Sequence, residues 1–149
     1  LHSIQIVLTN QGNQKKLLIA VRETDVQLTK SFVEGNYQIV YCHTLEAAKA
    51  ALEDGVDVVV SGIHFDGGAV FELLQYVRAS AVFGKLPFFV MLDSSRRYSY
   101  SPAIIHGLKT AARALGATAF TDLGALIEKF GRAEAVEVLR KGIRDAAGE

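Results

Sequence analysis

Glu23, Cys42, His43, His64, Asp66 and Asp93 each stand at or just beyond the end of a short apolar run. In a parallel sheet that is where ligands and reacting groups gather. A metal ion would need three or four such side chains converging. His43 and His64 follow runs that a doubly wound sheet keeps apart by one strand, so no metal site is expected. Asp66 could accept a phosphoryl group, but a carboxylate ahead of a helix also suits its N-terminus, and a cap is expected. Gly67-Gly68 offers backbone N–H groups to a phosphate. Two glycines without a longer Gly-rich spacing read better as a tight turn. The Ser61 hydroxyl is expected to bond backbone at a strand end rather than to be modified. No nucleophile lies next to a base, so no enzymatic activity is expected. The run Val56–Ser61 ends on Gly62, which has no side chain at all.

These residues are positioned by five apolar runs: Leu17–Val21, Tyr37–Cys42, Val56–Val60, Pro87–Leu92 and Ala117–Phe120. Unbroken apolar runs of this length point to strands buried on both faces, as in parallel sheets. Between them the apolar spacing turns helical. Leu28, Phe32 and Val33 follow Thr24, a candidate N-cap. Ala47, Ala48, Ala51 and Leu52 follow Thr44. Val70, Leu73, Leu74 and Val77 follow the glycine pair. Ile104, Ile105, Leu108, Ala112 and Leu115 follow Ser101-Pro102, a cap with a first-turn proline. Val136, Leu139 and Ile143 predict one last helix. Gly35, Gly55 and Gly116 fall where helices end. Strand and helix therefore alternate five times over residues 15–147. The fold class is α/β: a doubly wound, five-stranded parallel sheet in order 2-1-3-4-5, with helices on both faces. Residues 1–14 form an N-terminal extension or linker. Ile4, Ile6 and Leu8 alternate with other residues ahead of a turn at Asn10–Asn13, as an added edge strand would.

The 149 residues suit one domain. Sixteen basic and sixteen acidic residues cancel, which argues against nucleic acid or an anionic membrane as partner. A single cysteine excludes an intrachain disulfide and suits a reducing, cytoplasmic setting. No apolar run approaches the length of a membrane helix, and the first residues do not have the pattern of a signal peptide.

Five pieces in this order resemble the receiver domain of bacterial response regulators. Lys16–Glu23 is similar to the first strand with its acidic tip. Asp57–Gly62 is similar to the third strand, which ends in the phosphoacceptor aspartate. Asp66-Gly67 with Val70–Arg78 is similar to the Asp-Gly that opens the third helix. Leu86–Leu92 is similar to the fourth strand, and Leu115–Phe120 to the Gly-Ala turn into the fifth. The resemblance implies a site in which two acids and the acceptor aspartate hold magnesium. A lysine pairs with the phosphoryl oxygens, a serine or threonine donates to them, and an aromatic on the fifth strand follows that hydroxyl. Here the first acid position holds Arg22, with Glu23 remaining. The acceptor position holds Gly62, the hydroxyl position Leu92, and the lysine position Asp122 or Leu123. Phe120 stands at the aromatic position. A glycine has no oxygen to phosphorylate, and a guanidinium at the metal position repels a dication.

The resemblance with these losses implies an atypical receiver, or pseudo-receiver. It would serve as a phosphorylation-independent protein-interaction module in two-component signalling, with no cofactor and no metal. Its partner would be a signalling protein or a neighbouring domain of the same polypeptide, or a second copy through the fourth helix, fifth strand and fifth helix. That face is expected to include Phe120, the basic and aromatic loop Arg96, Arg97, Tyr98 and Tyr100, and the region of Ile143. Two alternatives stay open. One is a small-ligand sensor using the vacated pocket rimmed by Glu23, His64, Asp66 and Asp93. The other is phosphorylation at a displaced acceptor, Asp66. Arg22 is expected to bridge to Glu23, Asp66 and Asp93 and neutralise the old pocket.

Overall fold

The computed structural model describes residues 14–33, 35, 37–95 and 100–148. Apart from Gln14, the strand expected in residues 1–14 lies outside the described residues. Five strands, β1 (Lys15–Ala20), β2 (Tyr37–Cys42), β3 (Val58–Gly62), β4 (Phe88–Leu92) and β5 (Ala119–Asp122), form one parallel sheet in the order β2-β1-β3-β4-β5. This is the expected doubly wound topology. The helices are α1 (Val26–Val33), α2 (Leu45–Asp54), α3 (Val70–Ala79), α4 (Pro102–Ala114), α5 (Leu123–Phe130) and α6 (Arg132–Ala146).

The sheet divides the core in two because alternate side chains of a strand face opposite sides. Leu18, Val59, Phe88 and Val90 pack with α2, α3 and α4. Leu17, Ile19, Val58 and Val60 pack with α1, α5 and α6. All eight strand residues are fully buried, which is why the central runs show no apolar–polar alternation.

Caps set the helix ends. The Thr44 hydroxyl accepts from the Ala47 N–H at 3.1 Å and the Ser101 hydroxyl from the Ile104 N–H at 3.2 Å, as their spacing predicts. Thr24 does not cap α1, because it lies inside a 3-10 turn, Glu23–Asp25, that precedes the helix. The last helix predicted from Val136, Leu139 and Ile143 is α6, and a further helix, α5, precedes it. They meet at Gly131, whose φ of 85° is a left-handed value that favours glycine. Asp122 starts the unexpected α5 by accepting from the Ala125 N–H at 3.2 Å.

Candidate functional site

Gly62 closes β3 at the carboxyl edge of the sheet, paired with Met91 of β4 and one residue past the Ala20–Ser61 pair that ends the β1–β3 ladder. A cavity of about 40 Å³ lies there, lined among others by Val21, Asp25, Gly62, Leu92, Asp93 and Leu123. That volume holds ordered water and nothing larger. Leu92 and Leu123, each 2% exposed, fill the space from opposite sides of the sheet.

The β4–β5 register pairs Leu92 with Asp122. Asp122 is therefore the residue opposite Leu92, while Leu123 opens α5 and turns into the core. The Asp122 carboxylate accepts from the Ser94 hydroxyl at 2.6 Å, from the Ser94 N–H at 3.1 Å and from the Ala125 N–H. Asp93 accepts from the Ser95 N–H at 3.0 Å. Gly124 lets these loops meet: a Cβ there would stand 2.7 Å from the Ser95 nitrogen and 2.9 Å from Asp93 Oδ1.

Arg22 does not bridge to Glu23, Asp66 and Asp93 as expected. Its guanidinium donates to Asp25 at 2.9 and 3.3 Å. Asp25 is brought within reach by the 3-10 turn, a partner that the sequence spacing alone does not single out. The three acids also do not form one cluster. Asp93 faces the small cavity, whereas Glu23 and Asp66 line an adjoining open groove of about 850 Å³, with Arg22 and His64 on the wall common to both.

Asp66 departs from its expected role too. It does not cap α3, which starts without a side-chain cap. Its carboxylate reaches across to accept from the Leu45 N–H at 2.8 Å, in the first turn of α2. The backbone of Asp66 and Gly67 is left-handed, with φ of 42° and 68°, which turns the carboxylate away from α3. Aspartate tolerates that conformation better than most residues.

The histidines are each engaged. His43 Nδ1 donates to the Val21 carbonyl at 2.7 Å. His64 Nε2 bonds the Tyr100 hydroxyl, and the two rings stack with centroids 5.8 Å apart. Burial, and then the Arg22 charge, pushes the His64 imidazole below its ordinary range, with Asp25 opposing. Cys42 is buried, and burial raises its thiol pKa, so little reactive thiolate forms. Ser61 is fully buried with its hydroxyl 3.5 Å from the Gly62 carbonyl.

Among the described residues no group of three histidine, cysteine or acidic side chains is arranged to hold a metal ion. The donor set also does not fit a divalent cation. Asp25 is tied to a guanidinium, Asp93 to a backbone N–H, and Gly62 supplies no donor.

Of the expected interaction surface, Phe120 is half-buried against the α2–α4 side of the core and Tyr100 is half-buried against His64. Ile143 does not belong to it: at 2% exposed, it packs inside with Leu139. Arg96, Arg97 and Tyr98 lie outside the described residues. Among the described residues no helix is long and apolar enough to cross a membrane.

No family model and no curated protein matches the chain. Solved structures do. The chemotaxis response regulator CheY4 of Vibrio cholerae is 19% identical, with 87% of this chain and 98% of that chain covered and a TM-score of 0.61. The phosphorylated cyanobacterial phytochrome response regulator RcpA is 13% identical, covering 89% and 92%, at 0.64. The receiver domain of the sensor histidine kinase PA1611 from Pseudomonas aeruginosa, with magnesium in its active-site cleft, is 12% identical, covering 91% and 99%, at 0.63. At these identities the likeness establishes the fold, which is that of receiver domains.

Proposed function

We propose that this chain is an atypical receiver domain of a bacterial two-component signalling protein. It acts in the cytoplasm as a protein-interaction module that does not depend on phosphorylation and catalyses nothing itself. The observation that carries the reading is the state of the strand ends. β3 closes on Gly62, and the residue opposite Leu92 is an acid, Asp122, bonded to its own neighbouring loop. A phosphoryl group there would find no acceptor oxygen and a carboxylate to repel it. The partner is a signalling protein, a neighbouring domain or a second copy, engaged through α4, β5 and the Phe120 region. The test is incubation with acetyl phosphate and magnesium followed by intact mass. No phosphoryl gain is expected. A gain that disappears in Asp66→Asn overturns the reading in favour of a displaced acceptor.

A second reading, a small-ligand sensor, draws on the groove lined by Glu23, His43, His64 and Asp66 rather than on the space above Gly62. Its volume of about 850 Å³ lies in the range of ligand sites, whereas the cavity at Gly62 is far below it. A metabolite panel read by thermal shift tests it. A ligand whose shift persists in His43→Ala with Glu23→Gln does not use this groove.

A further inference from the structure

At the amino edge of the sheet, away from Gly62, a groove of about 380 Å³ runs between two connections of the chain. The end of α2 and the turn into β3 supply Leu52, Glu53 and Val56 to one wall. The turn from α3 into β4 supplies Val82, Lys85 and Leu86 to the other. Each wall thus combines apolar side chains with one charge, and the two charges are opposite in sign.

Val82 stands out from its wall, 92% exposed, on a turn that is held firmly. The Ser80 hydroxyl accepts from the Val82 and Phe83 N–H groups, both at 3.1 Å. The Arg78 guanidinium donates to the carbonyls of Gly84 and Leu86 at 3.1 and 2.7 Å. Gly84 runs so close to Ser80 that a Cβ there would collide with the Ser80 carbonyl oxygen. An apolar side chain is thus presented to water on a backbone already fixed, so little ordering entropy is lost when something covers it.

The two charges do not satisfy each other. Glu53 accepts from the Tyr76 hydroxyl at 2.7 Å, and among the described residues neither it nor Lys85 makes an ion pair. Both are exposed. A partner of uniform charge would match one wall and be repelled by the other. A second copy matches both, because a two-fold axis sets each wall of one chain on the opposite wall of the other. We propose that two copies of this chain associate about such an axis, with Val82 of each seated in the groove of the other and Lys85 of each facing Glu53 of the other. The groove is small, so the association is weak and reversible. It does not involve the α4 and β5 surface proposed above.

Sedimentation velocity of the full chain over a dilution series tests this, with circular dichroism to check that each variant folds. The wild type should pass from monomer to dimer as concentration rises. Val82→Asp should stay monomeric, because it places a carboxylate in the apolar hollow. Lys85→Glu and Glu53→Lys should each stay monomeric, because each sets like charges across the axis twice. Mixing these two variants should restore a dimer, since every pair across the axis is then opposite again. A wild type that is monomeric throughout the series overturns the proposal. A dimer that persists in Val82→Asp or in either charge variant alone overturns it too, and moves the contact to another face. A mixture that stays monomeric overturns it as well, because Lys85 then does not face Glu53.

Discussion

The Asp122 carboxylate holds Ser94 by both its hydroxyl, at 2.6 Å, and its N–H, at 3.1 Å. One side chain at the end of β5 thereby fixes the loop that leaves β4 and also starts α5. The resemblance implies a lysine and a hydroxyl in this region, both turned to a phosphoryl group. Here the acid turns to its own backbone, and that needs no bound group to complete it. The strand ends are thus tied together by their own side chains.

Asp122→Ala removes an N-cap and two further hydrogen bonds together. A cap contributes about 1 kcal/mol and a partly buried hydrogen bond about 1 kcal/mol. Because the bonds share one carboxylate they do not simply add, and a loss of about 2 kcal/mol is expected. Asp122→Asn keeps an accepting oxygen and should lose less than half of that. Urea midpoints at constant slope measure both. An Asp122→Ala midpoint equal to wild type removes the clamp from the account.

Gly124 and Gly107 should respond to alanine with opposite signs. Both are helical, so alanine gains up to about 1 kcal/mol from propensity alone. Around Gly107 nothing lies within 4 Å, and Gly107→Ala should stabilise. At Gly124 the new Cβ meets backbone of the Ser94–Ser95 loop at 3.0 Å or less. Such overpacking costs about 1–3 kcal/mol, which outweighs the gain. Thermal midpoints of the two variants should move in opposite directions.

Gly62→Asp should fold and still not take a phosphoryl group. The nearest atom to a Cβ at Gly62 is Val21 Cγ1, at an ordinary 3.5 Å, so a Cβ there meets no clash. Restoring the carboxylate leaves Arg22, Leu92 and Asp122 in place. Circular dichroism should match wild type, and intact mass after acetyl phosphate and magnesium should be unchanged. A phosphoryl gain would show that the glycine alone silences the site.

The strands, their order and two caps were legible because they rest on local signals. Continuous apolar runs mark strands buried on both faces, and Thr44 and Ser101 bond N–H groups three residues on. Two side chains are placed by bonds across the chain or by an unusual backbone, which local spacing does not show. Asp66 has the spacing of a cap for α3, yet its left-handed φ sends the carboxylate to Leu45. Arg22 finds Asp25 because a 3-10 turn, which has no apolar period to announce it, folds that acid back. The extra helix α5 has a signal in the sequence, the Asp122 cap at its start and Gly131 just past its end. Helix identity points Ile143 to an outer face, whereas its spacing from Leu139 marks it as core, and the core is where it lies.

His64 should make stability fall on mild acidification. An imidazole in the unfolded chain titrates near pH 6.5. In the folded chain burial and Arg22 hold it below that value. Below about pH 6.5 the unfolded state therefore binds more protons than the folded state. The contribution is complete above the unfolded value and is lost as pH falls toward and through the folded one. Protonation would also set a second cation beside Arg22. Urea midpoints of wild type and His64→Gln, compared at about pH 7.5 and about pH 5.5 on either side of the imidazole value, check this. Wild type should lose more stability across that interval than the variant. Parallel losses would assign the acid sensitivity to groups other than His64.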